Sequence, residues 1–525
     1  MTIVDKSFIS LIVVVFAIFM PALPTVQAAD IDLSDSCSLA DAITAANTDA
    51  AVGGCPVGDG ADTISLSGDI TLDAALPHIT SEITIEGGGY TISGNNRFRI
   101  FAVNGGMLMV NSLTMTNGKA DWGGAVVNVN KGTVSINNCE LNHSEAVEGG
   151  AIGNDGTFNI VDSVLSVNSA VVGGAIHNIG GTLNITGGSI DNNTSEDYGG
   201  AIYSEGGTLK NTDVMFNSNQ VVGRTAKGGA IGSRNGRTTI SGVTFTNNAS
   251  ELLGGAIYAD GQLLIVGSTF EANRSSGYGG AVYCDRCLLE VADSRIRDNV
   301  AEAEGGGISH LWGTVTISLS TITKNRTHLG GGIGGGYDGR GTLGKMIITN
   351  STISNNTAHV GGGIHTGKED KLKSLEVIDS VISGNIAVDD GGGMYLAAGT
   401  ATLTHVTVVD NNAMRGGGIF RNVDSEVKIK NSIIAGSGRG DCFGRLSENT
   451  GNLIEDGSCF PALMGDPMLG ELVEPEDGSP PYYPLLEGSP AIDAADDEYC
   501  SETDIIGTPR PQGAGCDIGA YELPQ

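Results

Sequence analysis

Between residues 60 and 435 the apolar positions come in short alternating runs, and no window holds a helical period for long. Three pieces recur. The first is an aliphatic residue after a glycine pair, such as Ile176 or Ile202. The second alternates, as in Val134/Ile136, Phe158/Ile160, Leu183/Ile185 and Leu375/Val377. The third reads Ser-x-aliphatic or Ser-x-Phe: Ser268/Phe270, Ser294/Ile296, Ser320/Ile322, Ser351/Ile353 and Ser380/Ile382. Alternation over so few residues predicts short strands.

The glycine pair sets the period. Gly-Gly-(Ala/Gly)-aliphatic first appears at Gly123. It returns at Gly149, Gly173, Gly199, Gly228, Gly254, Gly279, Gly305, Gly330, Gly361, Gly391 and Gly416, spaced 24 to 31 residues apart. Three strands per unit cannot bury an apolar face alone, but stacked units pair their backbones and share one core. The expected fold is all-β, a pectate-lyase-like parallel β-helix, right-handed by the general preference of parallel connections. Two irregular opening turns in residues 61–120 and twelve marked ones give roughly fourteen turns, ~65–70 Å at ~4.8 Å per rung. The glycines fit a corner with positive φ or close backbone approach. An Asn follows the third piece, at Asn168, Asn193, Asn219, Asn248, Asn273, Asn299, Asn325, Asn356, Asn385 and Asn412. It fits a bend and a ladder of stacked side chains.

Outside the repeats, residues 34–48 predict a helix. Ser38 with Asp41 resembles a capping box, and Leu39, Ala42, Ile43 and Ala46 form one face. Such a helix would lid the exposed end of the coil. Residues 334–345 and 367–373 are insertions, which become loops on one side of a solenoid. After about residue 435 the period stops and proline rises. The expected organisation is a signal segment over 1–28, an N-terminal cap over 29–60, the β-helix over 61–435 and a Pro/Gly-rich C-terminal module over 436–525.

The start supplies an address. Lys6, the apolar run Phe8–Phe19 and Val26-Gln27-Ala28 read as a secretory signal. The run is too short and wrongly flanked for a membrane span. The mature chain is thus expected to be exported, where disulfides persist. Candidate local bridges are Cys37 with Cys55, Cys442 with Cys459 and Cys500 with Cys516. Cys284-x-x-Cys287 is a local bridge or two thiols sooner than a zinc site, which needs two more ligands. Cys139 is left over as a core thiol. Net charge is −32, which opposes nucleic acid and anionic lipid.

Candidate chemistry is sparse. The fourth residue after each first glycine would point outward and stack into a column. His177 opens it, and Tyr203, Tyr258, Tyr283, His365, Tyr395 and Phe420 are the members that would bind. As an exposed strip it would pack sugars or a protein partner; otherwise its members cover one another. Acids precede several doublets (Asp121, Glu145/Glu148, Glu196/Asp197, Glu251, Glu302/Glu304, Asp389/Asp390), where adjacent turns would offer oxygen ligands to Ca²⁺. Half of the turns lack them, so a solvated face is the simpler reading and no cofactor is expected. His328 and His359 would lie side by side, half of a metal site at best. A base beside carboxylates, as a lyase or epimerase of acidic polysaccharide needs, is offered only by Arg340, Lys345, Lys368 and Lys371 with Asp338, Glu369 and Asp370.

Three stretches resemble known families. Gly254–Ile257 with Phe270–Asn273 looks like the GGAI/FxxN repeat of chlamydial polymorphic outer-membrane proteins, a likeness that extends over roughly residues 110–420. Cys37–Ile43 is similar to the CSLREA segment of secreted bacterial repeat proteins, with Ala40-Asp41 in place of Arg-Glu. Segments between Asn431 and Glu522, among them Pro484–Asp493 and Cys516–Glu522, resemble the choice-of-anchor Q domain. The Pro-rich end cannot supply the strands of an outer-membrane barrel, which leaves the manner of anchoring open. The likenesses speak to architecture; the role expected from the whole reading is a secreted or cell-surface display protein, adhesin-like, that binds a glycan or protein without catalysis. A polysaccharide lyase or epimerase, and a structural envelope component, are the alternatives.

Overall fold

The computed structural model describes residues 29–335, 344–367 and 372–524. The expected signal segment and most of the two insertions, including Arg340, Asp338, Lys368, Glu369, Asp370 and Lys371, lie outside them. The chain winds into a parallel β-solenoid of about fourteen turns. Its strands form sheets of 27, 16 and 8 strands along the body. Like positions of successive rungs pair. The residue after the doublet forms one column, for example Ile176↔Ile202↔Ile231↔Ile257↔Val282↔Ile308. Phe216, Phe245 and Phe270 stack inside at centroid distances of 4.9 and 4.7 Å. One apolar core runs unbroken from Ile31 to Ile454.

The two glycines of a doublet have different causes. The first has positive φ in all twelve copies, between 56° and 74°, a region that costs an L-residue roughly 1–2 kcal/mol. The second has ordinary φ, but a Cβ there would strike the glycine backbone of the next rung, as at Gly255 against Gly280.

Two buried ladders lock the other corners. Each Asn side-chain oxygen accepts from the backbone and side-chain nitrogens of the preceding Asn, as Asn193 does from Asn168 at 2.9 and 3.0 Å. The ladder runs from Asn168 to Asn411. Asn411, not the expected Asn412, is its last member, because the strand centred on Val408 sets the spacing. Nor do the ladder residues themselves take the left-handed bend. The residue before each does, as at Val167, Asn192 and Asn247, which frees the Asn to point inward. At the neighbouring corner the Ser of the third piece repeats the device. Ser268 Oγ accepts from Val243 N and donates to Val266 O, and Ser294, Ser320, Ser351 and Ser380 continue the row. A third, interior row, Asn128–Asn154–Asn178–Ser204, has no counterpart in the expectations above.

The amino-terminal end is closed by a helix. Leu39–Thr48 is a helix whose first turn is capped by Ser38 Oγ, accepting from Asp41 N. It buries Leu39, Ala42, Ile43, Ala45 and Ala46 in the main core. Cys37 is bridged to Cys55 beside it. At the far end the glycine period stops near residue 435, but the stacking does not. Cys442–Phe443, Glu448–Thr450 and Leu453–Ile454 add one more rung, with Cys442 bridged to Cys459.

The remaining chain turns back along the outside of the sixteen-strand sheet. Ala520 N donates to Thr407 Oγ1, and Thr352 Oγ1 donates to Pro481 O. Asn350 Nδ2 donates to Asp504 O. Val381 packs with Ile505 and Ala520, and Tyr482 and Tyr483 cover them. Arg510 is fully buried and ties Glu522, Asp517 O and Gly519 O together. Cys500 and Cys516 are bridged within this segment.

Candidate functional site

The fourth-position residues do form one column, paired rung on rung. Tyr258 stacks on Tyr283, and His365, Tyr395 and Phe420 stack in series, with ring centroids 5.0–6.0 Å apart. Phe443 extends that series and His177 stacks on Tyr203. Of the two arrangements expected, the strip takes the covered one. Tyr203, Tyr258, Tyr283, His365 and Phe420 are buried, and Tyr395 is half-buried. The cause is the residue just before each glycine doublet, which folds over the column. Tyr198 packs on Tyr203. Lys227 lies 4.8 Å above the Tyr258 ring, and Tyr278 sets its edge against Tyr283. Arg415, held by both oxygens of Asp390, covers Phe420 and Phe443. Where Gly334 leaves a gap in the column, Glu304 reaches His365 Nδ1 at 3.2 Å. Burial first, then nearby carboxylates, raises the Tyr258 and Tyr283 phenols, and pushes Tyr203 up to about 12. These rings are a second, lateral core.

The other sequence candidates are dispersed. Glu145 pairs with Lys119, Glu302 with Arg274 and Glu148 with His177. Among the described residues no three of His, Cys, Asp and Glu gather as a metal-binding set. His328 and His359 do lie together, ring centroids 4.5 Å apart. Cys284 and Cys287 are disulfide-bonded and buried, and Cys139 is a buried free thiol. Lys345 pairs with Glu376.

A lateral cleft was missed by sequence reasoning. Residues 468–486 of the returning segment form an antiparallel hairpin, closed by Val473–Tyr482 and Gly470–Pro484 hydrogen bonds. Its turn, Pro475–Gly478, closes with Gly478 N on Pro475 O, and Asp477 caps Ser479 N. Leu472, Pro475 and Pro481 roof a cavity of about 360 Å³, the size of a small-ligand site, over strands Arg295–Arg297 and Thr321–Thr323. Glu474 and Glu476 line one side, and Arg295, Arg297 and Lys324 the other. Arg297 is committed to Glu271 at 2.7 Å and Asp298 at 3.4 Å. Arg295 reaches under the turn to Gly478. The hint lay in the third strands. Both alternating positions turn apolar or small at Val381, Thr407/Val409 and Ile433/Ala435, the mark of a strand covered on two faces.

The architecture defines a parallel β-solenoid built on glycine-doublet repeats. Within it, residues 187–205, 242–260 and 267–285 match the family model of the Chlamydia polymorphic membrane protein repeat. No curated protein matches the chain. Among solved structures it is similar to one titled as the crystal structure of pectate lyase Pel9A. The identity is 10%, over 88% of each chain, with a TM-score of 0.18. No helix among the described residues is long and apolar enough to cross a membrane.

Proposed function

We propose that this chain is a secreted or cell-surface display protein that binds a glycan or protein partner through the side of its coil. The observation that carries the reading is the cleft under the hairpin: polar, charged, open to solvent, and built on a ladder-locked body. A rigid support presents a binding site with little ordering cost. The matched repeat, named for a membrane protein of Chlamydia, supports placement at an envelope. In this reading residues 1–28 are a signal and 29–60 a cap of the CSLREA kind. Residues 61–435 are the coil body. Residues 436–525 form a choice-of-anchor Q module that adds the last rung and the returning hairpin. The column of Tyr203, Tyr258, Tyr283, His365, Tyr395 and Phe420 supports the site from inside and does not contact the ligand.

The test is a glycan and host-protein array probed with the exported chain, with uronate-polymer cleavage assayed in parallel. Saturable binding to a restricted set of ligands supports the proposal. Unsaturated sugar product would replace it with a lyase, and a silent array at high protein concentration would overturn it.

A further inference from the structure

We infer that the cleft under the hairpin takes a sugar that carries a carboxylate, an inference that rests on the binding role proposed above. Two cations there are unspent. Among the described residues neither Arg295 nor Lys324 has an ion-pair partner, although both line the same cavity. The acids that line the same cavity, Glu474 and Glu476, sit on its hairpin side and form no ion pair with them. The gap between the two walls is where a ligand fits.

The walls also define its chemistry. A carboxylate satisfies Arg295 and Lys324, the guanidinium through two parallel N–H bonds and the ammonium as a point charge. A uniformly anionic ligand would meet repulsion from Glu474 and Glu476, so the group facing them must donate hydrogen bonds. Sugar hydroxyls do that, and Thr323, Ser354 and Asn355 offer further neutral partners. The roof of Leu472, Pro475 and Pro481 suits the C–H face of a pyranose ring. An acidic peptide supplies the carboxylate but not the dense hydroxyl donors.

Calorimetry on the full chain with a galactose trimer that ends in one galacturonic acid, and with the all-galactose trimer of the same linkage, tests this. The acidic trimer is expected to bind, and the neutral one about tenfold or more weaker, a difference of ~1.4 kcal/mol or more. Arg295→Gln and Lys324→Gln are each expected to weaken the acidic trimer about tenfold. Arg237→Gln, on another sheet, leaves it unchanged. Arg295 and Lys324 are exposed, so the variants keep the parent's melting temperature, which circular dichroism checks. Equal binding of the two trimers, affinity unchanged in both variants, or equal competition by a poly-glutamate peptide overturns the inference. If the trimers are silent while the array yields another partner, this inference falls and the display function stands. If both are silent, both fall.

Discussion

Asn193→Ala is the sharpest probe of what holds the coil in register. Asn193 is fully buried. Its Oδ1 accepts from Asn168 N and Nδ2 at 2.9 and 3.0 Å. Its Nδ2 donates to Leu165 O at 2.9 Å and to Asn219 Oδ1 at 3.0 Å. Truncation removes these four bonds and leaves the Asn168 amide with no acceptor. An orphaned buried donor costs about 1–3 kcal/mol and each lost bond about 0.5–1.5 kcal/mol. With partial relaxation the expected loss is about 4 kcal/mol, a large share of a typical folding stability. The adjacent Asn192 is exposed and left-handed at φ 54°. There Asn192→Gly should change stability by less than about 0.5 kcal/mol. Urea unfolding followed by far-UV circular dichroism measures both, and hydrogen exchange at the Asn168 amide localises the damage. Asn193→Asp adds a signature, since its second oxygen would face Leu165 O and Asn219 Oδ1. Burial raises that carboxyl, so the variant regains stability as pH falls and the acid becomes a donor. A loss below about 1 kcal/mol for Asn193→Ala, or one equal to that of Asn192→Gly, would refute the ladder as a stabilising device.

Three further outcomes follow from the same geometry. Val167 is a β-branched residue at φ 56° with its side chain in solvent, where other rungs carry Asn192, Asn247 or Asn355. Val167→Asn should therefore raise stability by about 1 kcal/mol, read as a higher Tm, and an unchanged Tm counts against the strain. Burial, opposed by the Ser501 hydrogen bond and by Arg510, pushes the Asp379 carboxyl up to about 7 from its ordinary 3.8. The folded chain then holds a proton that the unfolded chain has released. The stability this group contributes is fully present below about pH 4 and is lost as pH rises to about 7; Asp379→Asn should flatten that part of the pH profile. Thiol titration of the unreduced protein should find no reactive cysteine when native and one when unfolded. Cys139 is buried and its thiol is raised by burial, and the other eight cysteines are bridged. Two or more thiols in the unfolded chain would contradict the pairing.

What could be read from the sequence is what repeats. The doublets, the alternating pieces and the buried Asn recur because every rung meets the same neighbours, so one rung's chemistry is stated twelve times. The helix at Leu39–Thr48 was legible too, because its capping box and apolar face are local. The errors arise where the answer depends on a residue from elsewhere. Tyr258 looks exposed when its rung is read alone; Lys227, a rung earlier, covers it. Asn411 and Asn412 are the same residue type side by side, and only the inward direction of Val408 decides which enters the ladder. The hairpin over Arg295 is the extreme case, since its partners lie some 180 residues apart. No period connects them, and its Pro-rich composition looks like loop. Yet the coil had already recorded its cover, in the outward Val381 and Ile433 that an open face would have filled with polar residues. In a solenoid, a row that changes character partway along is evidence of a contact made by another part of the chain. The row from Arg295 to Ile433 changes where the returning segment lies on it, and the two cations stand at the uncovered edge of that change. A site at that boundary follows from the body's regularity ending there.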